Sequence, residues 1–238
     1  MPVPPPSPPA RAAWKLHGTR ADLLSDAAAV DGARIDLARP GAGIATGRGD
    51  HLLGLDVPVS RAPIDAWVRG DDVTATWEVV DERGLRATAL WRVRHAGADV
   101  AAWELIASAT TSRLHADSAL AVVSDVSAAA ILSSAWHDGH HRPFAPGAAP
   151  FDHGLVLVRR GDGTSCLVML HPLDRQEVAV EPGGGRARIA CRLFAAGVEK
   201  GVLLRSRVLA AIGPAEGDLA WAGRLAAEFA ASPPELAT

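Results

Sequence analysis

Residues 64–111 read IDAWVRGDDVTATWEVVDERGLRATALWRVRHAGADVAAWELIASATT. Polar and apolar side chains alternate through this stretch at the period of a β-strand. The alternation is interrupted at Gly70-Asp71, at Glu82-Arg83-Gly84 and at His95-Ala96-Gly97, so the spacing predicts four consecutive antiparallel strands, a meander. Period two puts Trp67 and Arg69 on one face of the first strand. In the second, Val73, Ala75, Trp77 and Val79 form an apolar face opposite Asp72, Thr74, Thr76 and Glu78. In the third, Leu85, Ala87, Ala89, Trp91 and Val93 oppose Arg86, Thr88, Arg92 and Arg94. The fourth, residues 100–108, is apolar on both faces except at Glu104. One side of the sheet builds a core and the other carries arginine and threonine.

Working outward, residues 198–212 (VEKGVLLRSRVLAAI) read as a long strand returning to this sheet, with Glu199, Arg205 and Arg207 on one face and Leu204, Ser206 and Val208 on the core side. Short strands are expected at 33–38, 44–46, 50–59 and 119–126, and a hairpin at 153–160 and 164–171 around Gly161-Asp162-Gly163. Two more strands, 176–181 and 186–195, flank Pro182-Gly183-Gly184-Gly185. Residues 127–136 fit a strand or a short helix, 136–152 read as a loop, and 14–24 carry few periodic cues. Residues 218–231 form the clear helix, with Trp221, Leu225 and Phe229 on one stripe and Pro233 and Pro234 to stop it. Strand after strand without βαβ alternation predicts an all-β fold, a large antiparallel β-sandwich with one C-terminal helix. Residues 1–13, rich in proline, are expected to stand outside the fold as a disordered tail, leaving 14–238 as a single domain.

Composition narrows the function classes. Hydrophobic residues make up 48% and charged residues 21% of the 238, which is ordinary globular usage and sets aside a fibrous or disordered chain. A net charge of −3 gives no basic footprint for nucleic acid. No apolar run reaches the ~20 residues of a membrane helix, and the start MPVPPPSPPA lacks the basic and apolar regions of a secretory signal, so a cytoplasmic protein is expected. Cys166 and Cys191 sit in apolar strand patterns and read as buried thiols. Lys15 and Lys200 are the only lysines among many arginines.

Several residues have the chemistry of a site. His171 closes the apolar run LVML ahead of Pro172, where an imidazole can act as a general acid near neutrality. His137, Asp138, His140 and His141 crowd into WHDGHH, so His137, His140 and His141 are weak metal candidates, but their spacing fits no closed metal site and none is expected. There is no G-x-S-x-G elbow and no phosphate loop, since Gly183-Gly184-Gly185 leads into a strand. No cofactor is expected.

AWVRGDDVTATWE (66–78), ALWRV (89–93), LVMLHPLD (167–174) and VEKGVLLRSRV (198–208), in that order, resemble a bacterial family with V-R-G-x-D, W-R, H-P and E-K-G-V strands. The resemblance spans roughly residues 33–230. It implies a sandwich similar to galactose mutarotase-like sugar-binding domains, without a defined reaction. Three expectations follow. The first is a carbohydrate or related polyhydroxylated ligand, a sugar or sugar acid, on the polar sheet face, contacted by Trp67, Arg69, Trp91, Arg92, Arg205 and Arg207. The second, implied by the resemblance to mutarotases, is an aldose-1-epimerase-like isomerase with His171 as acid and Glu199 as base. The third is a non-catalytic interaction module using the helix or loop 136–152.

Overall fold

The computed structural model describes residues 12–25, 32–96, 99–138, 140–147, 154–174, 177–194 and 196–233. In chain order the strands are β1 (Ala12–His17), β2 (Arg20–Ser25), β3 (Arg34–Asp36), β4 (Ile44–Ala45), β5 (His51–Asp56), β6 (Asp65–Arg69), β7 (Asp72–Glu78), β8 (Leu85–Ala96), β9 (Ala101–Thr111) and β10 (His115–Asp117). They continue as β11 (Leu120–Ser127), β12 (Ala130–Ser134), β13 (Trp136–His137), β14 (His140–His141), β15 (Ala145–Pro146), β16 (Leu155–Arg159) and β17 (Thr164–Leu170). The last are β18 (Glu177–Gly183), β19 (Arg186–Leu193), β20 (Gly197–Glu199) and β21 (Leu204–Pro214), followed by the helix α1 (Asp218–Ala231).

Two large antiparallel sheets stack as a sandwich. One has the order β1-β2-β3-β4-β5-β11-β19-β18 and the other β15-β12-β16-β17-β21-β9-β8-β7-β6. The meander is the β6–β9 half of the nine-stranded sheet, and its apolar faces point at the other sheet. Val73, Ala75, Trp77, Ala87, Ala89, Trp91, Trp103 and Leu105 all fall in the core between the layers. Trp77 and Trp91 meet edge to face, 6.2 Å between centroids, a geometry worth about 0.5–1.5 kcal/mol beyond burial. Their indole N–H groups donate across the sandwich, Trp77 to the Leu37 carbonyl at 3.0 Å and Trp91 to the Leu53 carbonyl at 2.8 Å.

The two layers are also tied by charge. The Asp50 carboxylate, fully buried, accepts from the Ser127 amide and hydroxyl at 2.9 and 3.2 Å, and the Arg160 guanidinium lies 2.9 Å from its second oxygen. Arg160 belongs to the β16–β17 hairpin and Asp50 leads into β5, so this pair joins the two sheets. Both free cysteines are buried, and burial pushes each thiol up to about 12.

A second, smaller core lies on the outer face of the nine-stranded sheet, where α1 packs. Trp221, Ala222, Ala226 and Phe229 from the helix meet Leu132, Leu155, Leu157, Leu167, Met169 and Leu209 from the strands. Taking a side chain such as Phe229 out of water contributes roughly 1.5–3 kcal/mol. The helix is pinned at both ends. At its start Asp218 accepts two bonds from Arg159, at 2.7 and 3.0 Å, and one from Ser165 Oγ at 2.9 Å, which hold its carboxyl below the usual range. At its end Arg207 Nη1 donates to Ser232 Oγ at 3.0 Å and to the Pro233 carbonyl at 2.8 Å.

The expected helix 218–231 is present, and so is the sandwich. Other details differ. Residues 14–24 form a hairpin, β1 with β2, turning at Gly18. The strand begins at Ala12, and the proline-rich residues 1–11 lie outside the described residues. β8 runs on through Ala96, into the third expected turn. Residues 127–136, which fit two structures, form mainly the strand β12. The long strand 198–212 is broken: β20 pairs with β10 as a separate ribbon and β21 starts only at Leu204, because the chain turns at Gly201 with φ 87°. Among the described residues no helix is long and apolar enough to span a membrane.

Candidate functional site

The helix covers the outer face over β12, β16, β17 and the middle of β21. The β6–β9 side and the lower part of β21 carry polar residues in three cross-strand rows fixed by the register. The first row is Arg69, Asp72, Arg92 and Glu104, ending at Leu209 beneath the helix. The second is Trp67, Thr74, Leu90, Ile106 and Arg207. The third is Asp65, Thr76, Thr88, Ser108 and Arg205.

The first row is charged. Arg92 holds Asp72 with two parallel bonds, 2.7 and 3.0 Å, the fork geometry that makes arginine a strong carboxylate partner. Glu104 is buried, 1% exposed, with Arg94 at 3.4 Å. The third row is mostly hydroxyls. Thr76 and Thr88 share a bond at 3.0 Å, and Arg205 Nε donates to Ser108 Oγ at 3.4 Å. In the middle row the Thr74 hydroxyl is buried without a hydrogen-bond partner, directly across from Trp67. Trp67 itself is 42% exposed, while the other tryptophans are exposed by 5% or less.

Where the charged row runs under the helix there is a recess of about 240 Å³, lined by Arg92, Arg94 and Leu209 from the sheet and by Leu225, Glu228 and Phe229 from α1. Glu104 lies between Arg92 and Leu209 in the row but is buried, and the carboxylates that line the recess are those of Asp71 and Glu228. A carboxylate taken out of water is expensive unless it is compensated, and the Arg94 guanidinium supplies the opposite charge. The sequence signal is the lone acid of AAWELIASA, but nothing in sequence tells that a helix end roofs the recess. A larger hollow, about 550 Å³, opens on the eight-stranded sheet around Asp56, Leu120, Glu177, Arg192 and Phe194. Its charges are already matched, Glu177 with Arg192 at 3.1 Å and Asp56 with Arg188 at 3.3 Å, and the smaller recess has the denser polar lining.

The residues expected to touch a ligand separate into two groups. Trp67, Arg69, Arg92 and Arg205 share the polar face. Trp91 does not: it is fully buried between the sheets, as its place among Leu85, Ala87, Ala89 and Val93 requires. Arg207 lies on the outer face but is only 4% exposed, committed to the C-terminal end of α1 and stacked 5.7 Å from the Phe229 ring centroid.

His171 and Glu199 are held in different surroundings. The Leu173 amide donates to His171 Nδ1 at 3.2 Å, which puts the proton of the neutral ring on Nε2, and the ring meets Phe229 edge to face at 5.0 Å. Burial and, secondarily, the neighbouring Arg207 charge lower its pKa to about 4. A neutral, enclosed imidazole is not a proton donor for a ligand at pH 7. Glu199 is exposed on β20 opposite His115.

The histidines of the loop do not gather. His137 pairs across its small ribbon with His140, while His141 meets Trp136 edge to face and Phe144 at a tilt. Among the described residues no group of three His, Cys, Asp or Glu side chains is placed to hold a metal.

No protein-family model matches the chain, and no curated protein is similar to it. Among solved structures it is similar to a candidate aldose 1-epimerase from Klebsiella pneumoniae, with TM-score 0.44 and 9% identity over 68% of this chain and 55% of the other. It is also similar to an alpha-N-acetylgalactosaminidase from Bifidobacterium bifidum in complex with GalNAc, with TM-score 0.43 and 9% identity over 88% of this chain and 36% of the other. The chain thus spans only about half the length of the first structure and about a third of the second.

Proposed function

We propose that the polar half of the nine-stranded sheet's outer face binds a carbohydrate or a related polyhydroxylated molecule. The observation that carries this reading is Trp67, the one indole of the chain open to solvent, set at the head of a row between a charged row and a hydroxyl row. An exposed indole offers an apolar platform for a pyranose ring, and fixed hydroxyls and guanidinium forks supply directional partners for its oxygens. Thr76, Thr88, Ser108 and Arg205 contact ligand hydroxyls, and the recess lined by Asp71, Arg92 and Arg94 takes the end of the ligand that reaches α1.

No acid–base pair of His171 and Glu199 enters this reading. An isomerase on this face would instead need a proton-transfer group within reach of the ligand, and the carboxylates that line the recess are those of Asp71 and Glu228.

The test is thermal unfolding against a panel of neutral and acidic mono- and oligosaccharides. A ligand that binds the native state alone raises the midpoint in proportion to ln(1 + [L]/Kd). At least one sugar raises it in the wild type, and Trp67→Ala abolishes the rise while unfolding at the same temperature without ligand. A panel that leaves the midpoint unchanged at millimolar concentration, or a rise that persists in Trp67→Ala, overturns the assignment.

A further inference from the structure

The two rows that flank Trp67 differ in charge. On β6, Asp65, Trp67 and Arg69 occupy the outer face at successive alternate positions, roughly 7 Å apart, and head the hydroxyl row, the middle row and the charged row. Within the charged row each acid has its own arginine: Asp72 is held by Arg92 and Glu104 is approached by Arg94. Arg69 stands opposite Asp72 yet forms no ion pair among the described residues, and its side chain is exposed. Asp71 and Asp65, the other nearby acids, form none with it either. On the far flank, Thr76, Thr88 and Ser108 are neutral.

We propose that the ligand of this face is a sugar bearing a carboxylate, of the uronate class, seated on Trp67 with its carboxylate toward Arg69 and its ring hydroxyls toward Thr76 and Thr88. This rests on the carbohydrate reading of the face and makes it specific. A guanidinium recognises a carboxylate with two parallel hydrogen bonds, which an alcohol cannot accept in the same way. The charged row has one such fork in excess, beside the only exposed indole. The partnerless Thr74 hydroxyl across from Trp67 adds a polar group for which the fold itself supplies no bond, the state expected of a site whose occupant provides it.

Trp67 also supplies the readout, because the other tryptophans are shielded and acrylamide quenches the exposed one selectively. Quenching is titrated with galacturonate and glucuronate oligomers, with the matching neutral oligomers, and with glucose 6-phosphate as a different anion. The uronates shield Trp67 at concentrations about tenfold below the neutral sugars, as a charge-assisted pair predicts, and the preference shrinks with added salt. Arg69→Gln brings uronate and neutral sugar to the same midpoint, and Arg69→Lys keeps part of the preference. Equal shielding by neutral and acidic oligomers, or a preference unchanged in Arg69→Gln, overturns the carboxylate assignment and leaves the carbohydrate reading standing. Stronger shielding by glucose 6-phosphate than by either uronate also overturns it, in favour of a phosphorylated sugar. If none of these sugars shields Trp67, both fall together.

Discussion

Acid should loosen this protein in a window set by His171. The imidazole is fully buried under α1, between Phe229 and Arg207, and its pKa is lowered to about 4 from an ordinary 6.5. Above pH 6.5 the ring is neutral whether the chain is folded or not, and it contributes no pH dependence. As the pH falls through 6.5 the unfolded chain takes up a proton that the folded protein refuses until about pH 4, so stability drops across that interval and levels off below it. Each pH unit of that interval costs about 1.4 kcal/mol, so the loss at pH 4 is about 3 kcal/mol, a large fraction of the roughly 5–15 kcal/mol that holds a typical domain. Asp174 opposes the effect, because burial raises its pKa and the folded state holds that proton longer. Asp81, Asp162 and Asp218 are all lowered and act below their ordinary pKa, in a lower window. The assay is urea unfolding followed by tryptophan emission at half-unit steps from pH 7.5 to 3.5. The wild-type midpoint falls by on the order of 1 M through the window, and His171→Leu, whatever its absolute stability, loses that slope. A flat wild-type profile between pH 6.5 and 4, or a slope unchanged in His171→Leu, refutes the reasoning.

Two further expectations concern packing. Arg160→Met leaves the Asp50 carboxylate buried without its cation and costs about 3–5 kcal/mol, whereas adding Asp50→Asn recovers part of the loss, since the Ser127 donors remain; denaturant midpoints of the single and double variants check this coupling. Gly154→Ala would bring a methyl carbon to 1.9 Å from Trp136 Cδ1, so the indole, which donates to the Leu170 carbonyl, must move. An overpacking loss of about 1–3 kcal/mol is expected in the same measurement.

Much of this architecture is legible in the sequence because local chemistry decides it. The alternation of β7 and β8 fixes which side of each strand is dry, and the assignment of Thr74, Thr76, Thr88, Arg92 and Arg205 to one polar face needs nothing beyond period two. The stripe of Trp221 and Phe229 likewise announces a helix with one face to bury. What sequence does not carry is where that face lands. His171 and Arg207 have the same parity as Arg205, and only the docking of α1 over β17 and the middle of β21 turns them from surface groups into buried ones. Glu199 departs from expectation for another reason. Parity carried through Gly201 puts it beside Arg205, but a glycine at positive φ breaks the count, so Glu199 belongs to a ribbon with its own orientation. The hairpin of β1 and β2 leaves little trace in sequence because it forms the edge of the eight-stranded sheet and buries only Trp14, Ala21 and Leu23.

The indole bonds of Trp77 and Trp91 bear on how the two layers are aligned. Apolar contact has no preferred direction, and two greasy sheets pressed together could glide over one another with little change in buried area. A nitrogen from one layer locked to a carbonyl of the other, at Leu37 and at Leu53, does have a direction. Because the two donors come from adjacent strands, β7 and β8, they act as a pair of dowels: together they forbid both translation and rotation of the layers in their plane. The outer polar face inherits that fixity, since its rows lie on the other side of these same strands, and its side chains are held in register from behind.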